Sequence, residues 1–469
     1  MQDAATFLAY LAAAALFIVG IRRLRRPETA RSGNTLAAFG MTIALVATLF
    51  VIDFRGLLLI GIAALLGAVI GAISAQRVKM TAMPQMVAAY NGVGGGAAAL
   101  IALSEFYHLH TSGHEDVVAA LTVPLTVIIG SVSFAGSAVA FAKLQEIAFT
   151  GSVSFPLQQV VNALLFVGIL VLTANAFLDG AILPFLSPVA SVVAILVSSL
   201  VLGILLVIPI GGADMPIVIS LLNAFTGLAA AASGFVLENY ILIIGGTIVG
   251  ASGTILTRLM SSALGRPLGK IIFAGIAAAG TSKEELGERP VHDASPEEVG
   301  EYLANEAQKV VIVPGYGLAV AQAQGAMHDL METLESEGKE VLFGIHPVAG
   351  RMPGHMNVLL TEVGVPYDKL YDLEDINPEL EDTDAAIIVG ANDVVNPAAN
   401  DPEQDTPISG MPILEVERAR RVVFIKRSLS PGFAGVDNPL FYDQEKTMML
   451  FADAKKGLHD LIAATVRSS

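Results

Sequence analysis

Val310-Val311-Ile312-Val313-Pro314-Gly315-Tyr316-Gly317-Leu318-Ala319-Val320 is the stretch that decides the fold of the C-terminal part of this 469-residue chain. A short β-branched run enters a Gly-x-Gly turn and leaves it in a helical pattern that is expected to continue to about Glu337. Strand, glycine turn and helix N-terminus in this order make a cradle in which backbone N–H groups and the helix dipole face an anion. The last motif position is Val320 where the fingerprint has glycine, and such a turn also occurs without a ligand.

Outward from this stretch the pattern repeats. The runs 341–343, 385–389 and 422–425 are short and apolar, and helical patterns separate them. Such alternation predicts an α/β domain, a Rossmann-like, doubly wound parallel sheet with helices on both faces. Its first helix opens at Ser295-Pro296-Glu297-Glu298, a capping-box pattern with proline at the first helical position. The domain is expected over 291–469, after a polar, glycine-containing linker at 262–290.

The end of the second strand bears on the ligand. A site for NAD places Asp or Glu there, to accept from the ribose 2′-hydroxyl. Here the strand runs into Phe343-Gly344-Ile345-His346-Pro347-Val348-Ala349-Gly350-Arg351, with no acid and a cation following. Lys426-Arg427-Ser428 closes another strand at the sheet edge where ligands bind. Two cations and a hydroxyl suit a 2′-phosphate dianion, so NADP(H) is the expected cofactor. The glycine-containing loop that follows, with Gly432, Phe433, Ala434 and Asp437, reads as a lid or as a plain surface loop. Asp393, in Gly390-Ala391-Asn392-Asp393, stands at a strand end, placed to approach the ligand or to cap its own loop.

The N-terminal part is a different polymer. Up to Lys270 there are 12 basic and 10 acidic residues, and beyond it 15 and 33. That acidity argues against nucleic acid as a partner, since phosphate neutralisation needs clustered cations. The absence of cysteine excludes disulfides, thiolate catalysis, cysteine zinc sites and iron–sulfur clusters. Apolar runs near 4–20, 35–52, 57–75, 84–103, 117–141, 158–175, 181–208, 215–236 and 240–260 are each long enough to span about 30 Å of hydrocarbon. They predict an all-α membrane domain of nine transmembrane helices over 1–261. Arg22, Arg23, Arg25, Arg26, Arg31, Arg77, Lys79, Lys143, Arg266 and Lys270 fall in alternate breaks. The other breaks hold Arg55 with Glu105, His108, His110, His114, Glu115, Asp116 and Asp179. The positive-inside rule then places the N-terminus outside and the C-terminal domain in the cytoplasm.

No titratable side chain lies near the middle of a span. The asparagines deepest in apolar sequence, Asn91 and Asn223, are expected to face the bundle interior, as helix–helix hydrogen bonds or as part of an ion or water pathway. Asp214, ahead of Pro216 at the cytoplasmic mouth of the eighth span, reads equally as a helix N-cap and as a gating group.

These residues resemble one family: the beta subunit of the proton-translocating nicotinamide nucleotide transhydrogenase. The matching stretches are GGADMP (211–216), PGYGLAVAQAQ (314–324), GIHPVAGR (344–351), PGHMNVLL (353–360), GAND (390–393) and KRS (426–428), in family order. The resemblance implies reversible hydride transfer between NADH and NADP+, coupled to proton movement across a bacterial inner membrane. It implies that Gly315, Tyr316, Gly317, Leu318, Ala319, Val320 and Arg351 meet the pyrophosphate region, and that Lys426, Arg427 and Ser428 meet the 2′-phosphate. Gly390, Asn392 and Asp393 would lie along the cofactor, and Gly432, Phe433, Ala434 and Asp437 would cover it. Asp393, Asp214, Asn223 and Asn91 would serve proton coupling. An alpha subunit would bring NAD(H) and further transmembrane helices, with the alpha-beta unit forming a dimer. Two departures stand out: Asn91 occupies a position where many members have histidine, and Phe433 one where tyrosine is common. A rival reading, an NADP(H)-gated channel or sensor without hydride transfer, shares the nucleotide site and differs in what the occupied site does.

Overall fold

The computed structural model describes the chain except residues 1, 25, 52–55, 80–81, 113–116, 146, 148–152, 212–213, 264–267, 270–288, 351–353, 402–405, 407, 431, 433 and 469. Most of the expected 262–290 linker, and Arg25, Arg55, His114, Glu115, Asp116, Arg266 and Lys270, lie outside the described residues. Two compact units emerge: Met1–Ile210 with Val218–Thr257, and Gly211–Ile217 with Arg258–Ser469.

The first unit is helical. Among the described residues, nine helices are long and apolar enough to cross a membrane. They are α1 (Gln2–Leu24), α2 (Pro27–Leu49), α3 (Leu57–Arg77), α4 (Met83–Ser112), α5 (Val117–Leu144), α6 (Gln158–Phe177), α7 (Pro188–Val207), α8 (Met215–Val236) and α9 (Tyr240–Ala263). Three of these differ most from the apolar runs, α4 by running on to Ser112. α2 begins at Pro27, because a proline tolerated at the first helical position lets the helix absorb the polar 28–34 stretch. α7 begins only at Pro188, capped by Ser187, whose Oγ accepts from the Ala190 N–H at 3.2 Å. The preceding turn is tied down by Asn175. Its Oδ1 accepts from the Leu183 N–H at 2.6 Å, and its Nδ2 donates to Leu186 O at 3.2 Å and Ser191 Oγ at 2.9 Å.

With apolar lipid as the alternative neighbour, packing and polar contacts decide which helices associate. Small residues bring backbones together here. On α8 and α9, a Cβ on Gly246 would lie 2.4 Å from Ala231 N, and one on Gly227 2.5 Å from Gly250 N. On α4 and α5, a Cβ on Gly130 would lie 2.5 Å from Gly95 O. Lys143 is buried despite its charge, and its Nζ donates to the carbonyls of Ile208 and, at 2.8 Å, Ile210 just past the C-terminus of α7. A cation there complements the helix dipole and the unpaired carbonyls.

The second unit holds a six-stranded parallel sheet in the order β3-β2-β1-β4-β5-β6. Its strands are β1 (Lys309–Pro314), β2 (Glu340–Ile345), β3 (Leu370–Asp372), β4 (Ala385–Val389), β5 (Arg421–Lys426) and β6 (Thr447–Phe451). The helices that bear on the argument are α10 (Pro296–Asn305), α11 (Tyr316–Val320), α12 (Gln324–Ser336), α13 (His355–Glu362), α14 (Leu373–Ile376) and α15 (Ala454–Ser468). Ser295 caps α10 as expected, accepting from the Glu298 N–H at 3.2 Å. The α/β reading holds, with two strands beyond the four legible runs and with the single helix after β1 divided. α11 and α12 are separated at 321–323, where Gln322 takes φ +50. A helix cannot continue through a left-handed residue. One face of the sheet is packed by Leu342, Ile376, Leu380, Leu414, Phe424 and Phe441 among others.

The α8–α9 contact supplies a test. Gly246→Leu should lower the thermal stability of the detergent-solubilised chain by about 1–3 kcal/mol, the usual cost of overpacking. Gly245→Leu, whose Cβ would meet nothing within 4 Å, should leave it unchanged. Equal melting of the two variants would contradict backbone contact at Gly246.

Candidate functional site

The strand order reverses between β1 and β4, which lie side by side with Pro314 opposite Val389. Open α/β sheets bind ligands at the carboxyl ends of the strands at such a switch point. Here the two turns that leave the sheet press backbone on backbone. The Gly315 N–H donates to Val389 O at 2.9 Å and the Gly317 N–H to Gly390 O at 2.9 Å. A Cβ on Gly315 would sit 2.3 Å from Gly390 O, and one on Gly390, at φ +67, would sit 2.4 Å from Leu318 N. No L side chain fits at either place, and Gly390 also needs the left-handed backbone that glycine adopts freely.

The turn differs from a simple cradle at the head of a long helix. α11 is only five residues long, and the N–H groups of Gly317 and Leu318 are already engaged by Gly390 O and Gly315 O. Leu318 and Ala319 are buried in the core, Val320 is exposed, and the Tyr316 ring lies 6.4 Å from the imidazole of His355.

The β4 turn is sewn to the loop at 432–438. Asp393 Oδ2 accepts from the Ala434 N–H at 3.0 Å, and a Cβ on Gly432 would collide with the same carboxylate at 2.2 Å. Asn392 Oδ1 accepts from Asn438 Nδ2 at 3.1 Å, and Asn396 Nδ2 donates to Asp437 O at 3.0 Å. The Asp437 carboxylate accepts from the Tyr442 hydroxyl at 3.0 Å and lies 3.9 Å from Arg289. Asp393 therefore fastens the loop over the end of β4.

Register brings β5 alongside, with Val389 opposite Ile425, so that Lys426 is the next residue on the sheet edge. Lys426 is partly buried. Its Nζ donates to Ser430 O and stands 4.4 Å from the centre of the Phe441 ring. Burial holds its pKa down at about 8, against the pull of the Asp393 and Asp437 carboxylates. Arg427 and Ser428 are exposed, and the Ser428 and Ser430 hydroxyls are 2.9 Å apart. Two cations and two hydroxyls at one strand end can engage a phosphate through charge-assisted hydrogen bonds. The ends of β1, β4 and β5 thus gather Gly315, Gly317, Gly390, Asn392, Asp393, Lys426, Gly432, Ala434 and Asp437. Arg351 and Phe433 lie outside the described residues.

One residue of this edge carried no role in the sequence reading. His346, just past β2, is buried; its Nε2 is 2.7 Å from Pro412 O, and its Nδ1 is 3.2 Å from the Val348 N–H. The Val348 amide can only donate, so Nδ1 is the acceptor and Nε2 carries the proton. This neutral ring ties the turn after β2 to a segment 66 residues away in sequence. A strand-end histidine ahead of proline was the available signal, but its partner is invisible in sequence.

The spans carry polar groups of their own. Asn91 is buried, and its Nδ2 donates to Ser137 Oγ at 2.9 Å and Ser133 Oγ at 3.3 Å. Ser133 Oγ in turn donates to Leu222 O at 2.9 Å and lies 2.6 Å from Thr226 Oγ1. Asn223 is not buried as expected: it is exposed on α8, between the buried Leu222 and Ala224. Asp214 is buried at the start of α8, its N–H donating to Gly211 O at 3.2 Å.

Comparison with known proteins agrees in length and in kind. The family model described as NAD(P) transhydrogenase beta subunit matches residues 6–464. The NAD(P) transhydrogenase subunit beta of Rhodospirillum rubrum is 43% identical over 475 residues, covering 99% of this chain and 100% of that protein. The protein of the same name from a designated strain of that species matches equally.

His346 supplies a test. Burial lowers its pKa from 6.5 to about 4, so the folded state binds this proton less readily than the unfolded chain. The stability it confers is complete above pH 6.5 and is lost as pH falls toward 4, by about 3 kcal/mol in all. His346→Gln should remove that part of the acid sensitivity, read from denaturation midpoints at pH 7 and pH 4. An unchanged pH dependence would contradict a neutral, buried His346.

Proposed function

Because the chain belongs to the NAD(P) transhydrogenase beta-subunit family, we propose that its C-terminal unit binds NADP(H). We further propose that the nine-helix unit couples hydride exchange with NAD(H), held by an alpha subunit, to proton movement across the membrane. The observation that carries the reading is the junction at the ends of β1, β4 and β5. Its glycines let the two turns leave the sheet in direct backbone contact at the switch point, and Lys426, Arg427 and Ser428 supply cations and a hydroxyl for an extra phosphate. The residues that follow β2 in the chain, His346 to Gly350, include no carboxylate to select a free 2′-hydroxyl. These residues fit a phosphorylated nicotinamide nucleotide.

When bound, the nicotinamide ring supplies hydride chemistry, and the protein need form no covalent bond. The residues of this chain bind, orient and exclude water. Lys426 neutralises phosphate, the glycine junction sets the approach, and the Asp393 carboxylate holds the 432–438 loop closed over the edge. Protonation of Asp393 would weaken its hold on the Ala434 N–H and free the loop. Proton binding and nucleotide affinity would then be linked, and such linkage is reciprocal. In the membrane unit, Asn91 with Ser133, Ser137 and Thr226 forms a polar seam between α4, α5 and α8 suited to relaying a proton through water. Asn223 is exposed and makes no hydrogen bond among the described residues, and an amide within a span is costly without a partner. That cost supports a helix of the alpha subunit covering this face. The alternation of Arg22, Arg23, Arg77 and Lys79 with acidic breaks supports an outside N-terminus and a cytoplasmic nucleotide unit in a bacterial inner membrane.

Calorimetric titration of the detergent-solubilised chain tests the cofactor. Lys426→Ala with Arg427→Ala should weaken NADPH binding at least a hundredfold and leave the weaker NADH binding nearly unchanged; equal loss for both would remove the assignment. The pH dependence is a second check. As pH rises through about 8, Lys426 loses its charge, so NADPH affinity should fall up to about tenfold per pH unit above that point. In Lys426→Arg the fall should disappear, and its persistence would assign the effect to another group.

A further inference from the structure

The described part of the first unit contains a cavity that the hydride and proton chemistry does not use. It measures about 620 Å³, and it is lined by Val19, Arg22, Arg23, Arg26 and Thr29 where α1 gives way to α2. Three arginines on one cavity repel one another unless an anion joins them. The side chain of Glu28, in the same turn, lies outside the described residues, and among the described ones no carboxylate pairs with any of the three. Arg23 Nη1 donates to Ser32 Oγ at 3.3 Å, which steadies one guanidinium without neutralising it.

The backbone adds to the positive end. α2 starts at Pro27 with no side chain capping its first N–H groups, so the N-terminus of a 23-residue helix is open at the cavity, an arrangement that favours an anion. Thr29 Oγ1 donates to Arg23 O at 2.6 Å, closing the turn. The hairpin is rigid beside the arginines, because α1 and α2 meet at glycine: a Cβ on Gly33 would lie 2.8 Å from Gly20 O and 3.1 Å from the Cβ of Arg23. The backbone that carries the arginines is thus held on a fixed frame.

The level of the cavity identifies the anion. It sits at the end of two 21-residue apolar spans, where hydrocarbon gives way to headgroups. Val19 lines it, and the neighbouring Ile18, Ile21 and Leu24 are exposed on the helix surface. A free anion gains nothing from that apolar surface, whereas an acyl chain lies along it. We propose that this cavity seats the phosphate of an acidic phospholipid, with Arg22, Arg23 and Arg26 around the headgroup and a chain running down the α1 surface. Basic pockets between transmembrane helices recognise anionic headgroups in this manner. The site is independent of the nucleotide edge and of the direction of hydride transfer.

Native mass spectrometry of the full chain in detergent, titrated with phosphatidylglycerol or phosphatidylcholine, tests the proposal. The wild type should retain phosphatidylglycerol in preference to phosphatidylcholine. The Arg22→Gln, Arg23→Gln, Arg26→Gln triple variant should retain it at least about tenfold less. Arg420→Gln with Arg467→Gln, charges on the surface of the other unit, should match the wild type. The triple Arg-to-Lys variant should keep the preference for phosphatidylglycerol, separating lost charge from lost fold. Equal retention by the Gln variant and the wild type would overturn the proposal. So would competition in which millimolar inorganic phosphate displaces all bound phosphatidylglycerol, since the apolar wall would then contribute nothing.

Discussion

The contact on which the C-terminal unit depends is backbone against backbone: the turn leaving β1 at Gly315 and Gly317 lies directly on the turn leaving β4 at Gly390. A single methyl group on Gly315 or Gly390 would come within 2.4 Å of the opposite chain. Everything at the ligand edge inherits its position from this junction. It fixes the start of α11, the direction of the Gly390-Ala391-Asn392-Asp393 turn and, through Asp393 and Asn392, the loop that Ala434 and Asn438 anchor. The same junction lies at the point of strand reversal, where an open parallel sheet leaves a crevice. Fold and site are therefore one constraint seen from two sides.

The membrane unit uses the same device with a different purpose. Gly227, Gly246 and Gly250 let α8 and α9 touch, as Gly95 and Gly130 do for α4 and α5. Close approach lets short side chains reach across, so Asn91 meets Ser133 and Ser137 without a charged group in the seam. The cations are kept to the helix ends, where Lys143 satisfies carbonyls beyond α7 and the arginines of the α1–α2 turn surround a cavity.

Much of this was legible in the sequence because it follows from period and composition. The nine apolar runs, the strand–glycine–helix order at 310–320 and the Ser295 cap all depend on neighbours in the chain. Where the reading failed, the cause is tertiary. β3 has three residues, Leu370 to Asp372, and gains strand geometry only by pairing with Phe343 to Ile345. β6 is built from Thr447-Met448-Met449-Leu450-Phe451, with little β-branching, and sheet burial overrides propensity there. The left-handed Gln322 divides a helical pattern that shows no glycine or proline at the break. Asn223 looked buried because its sequence neighbours are apolar, but in a span such neighbours face lipid as readily as core. The ties from His346 to Pro412 and from Asp393 to Ala434 cross 66 and 41 residues, and no local pattern encodes them.

The central claim is that the glycine junction at β1 and β4, with the end of β5, forms one nucleotide site. Hydrogen–deuterium exchange of the full chain with and without saturating NADPH tests it most directly. The account predicts slowed exchange in 315–320, 390–396 and 426–438 together, with the strand interiors and the edge strand β3 unaffected. Protection confined to other segments, or none in these three, would contradict it.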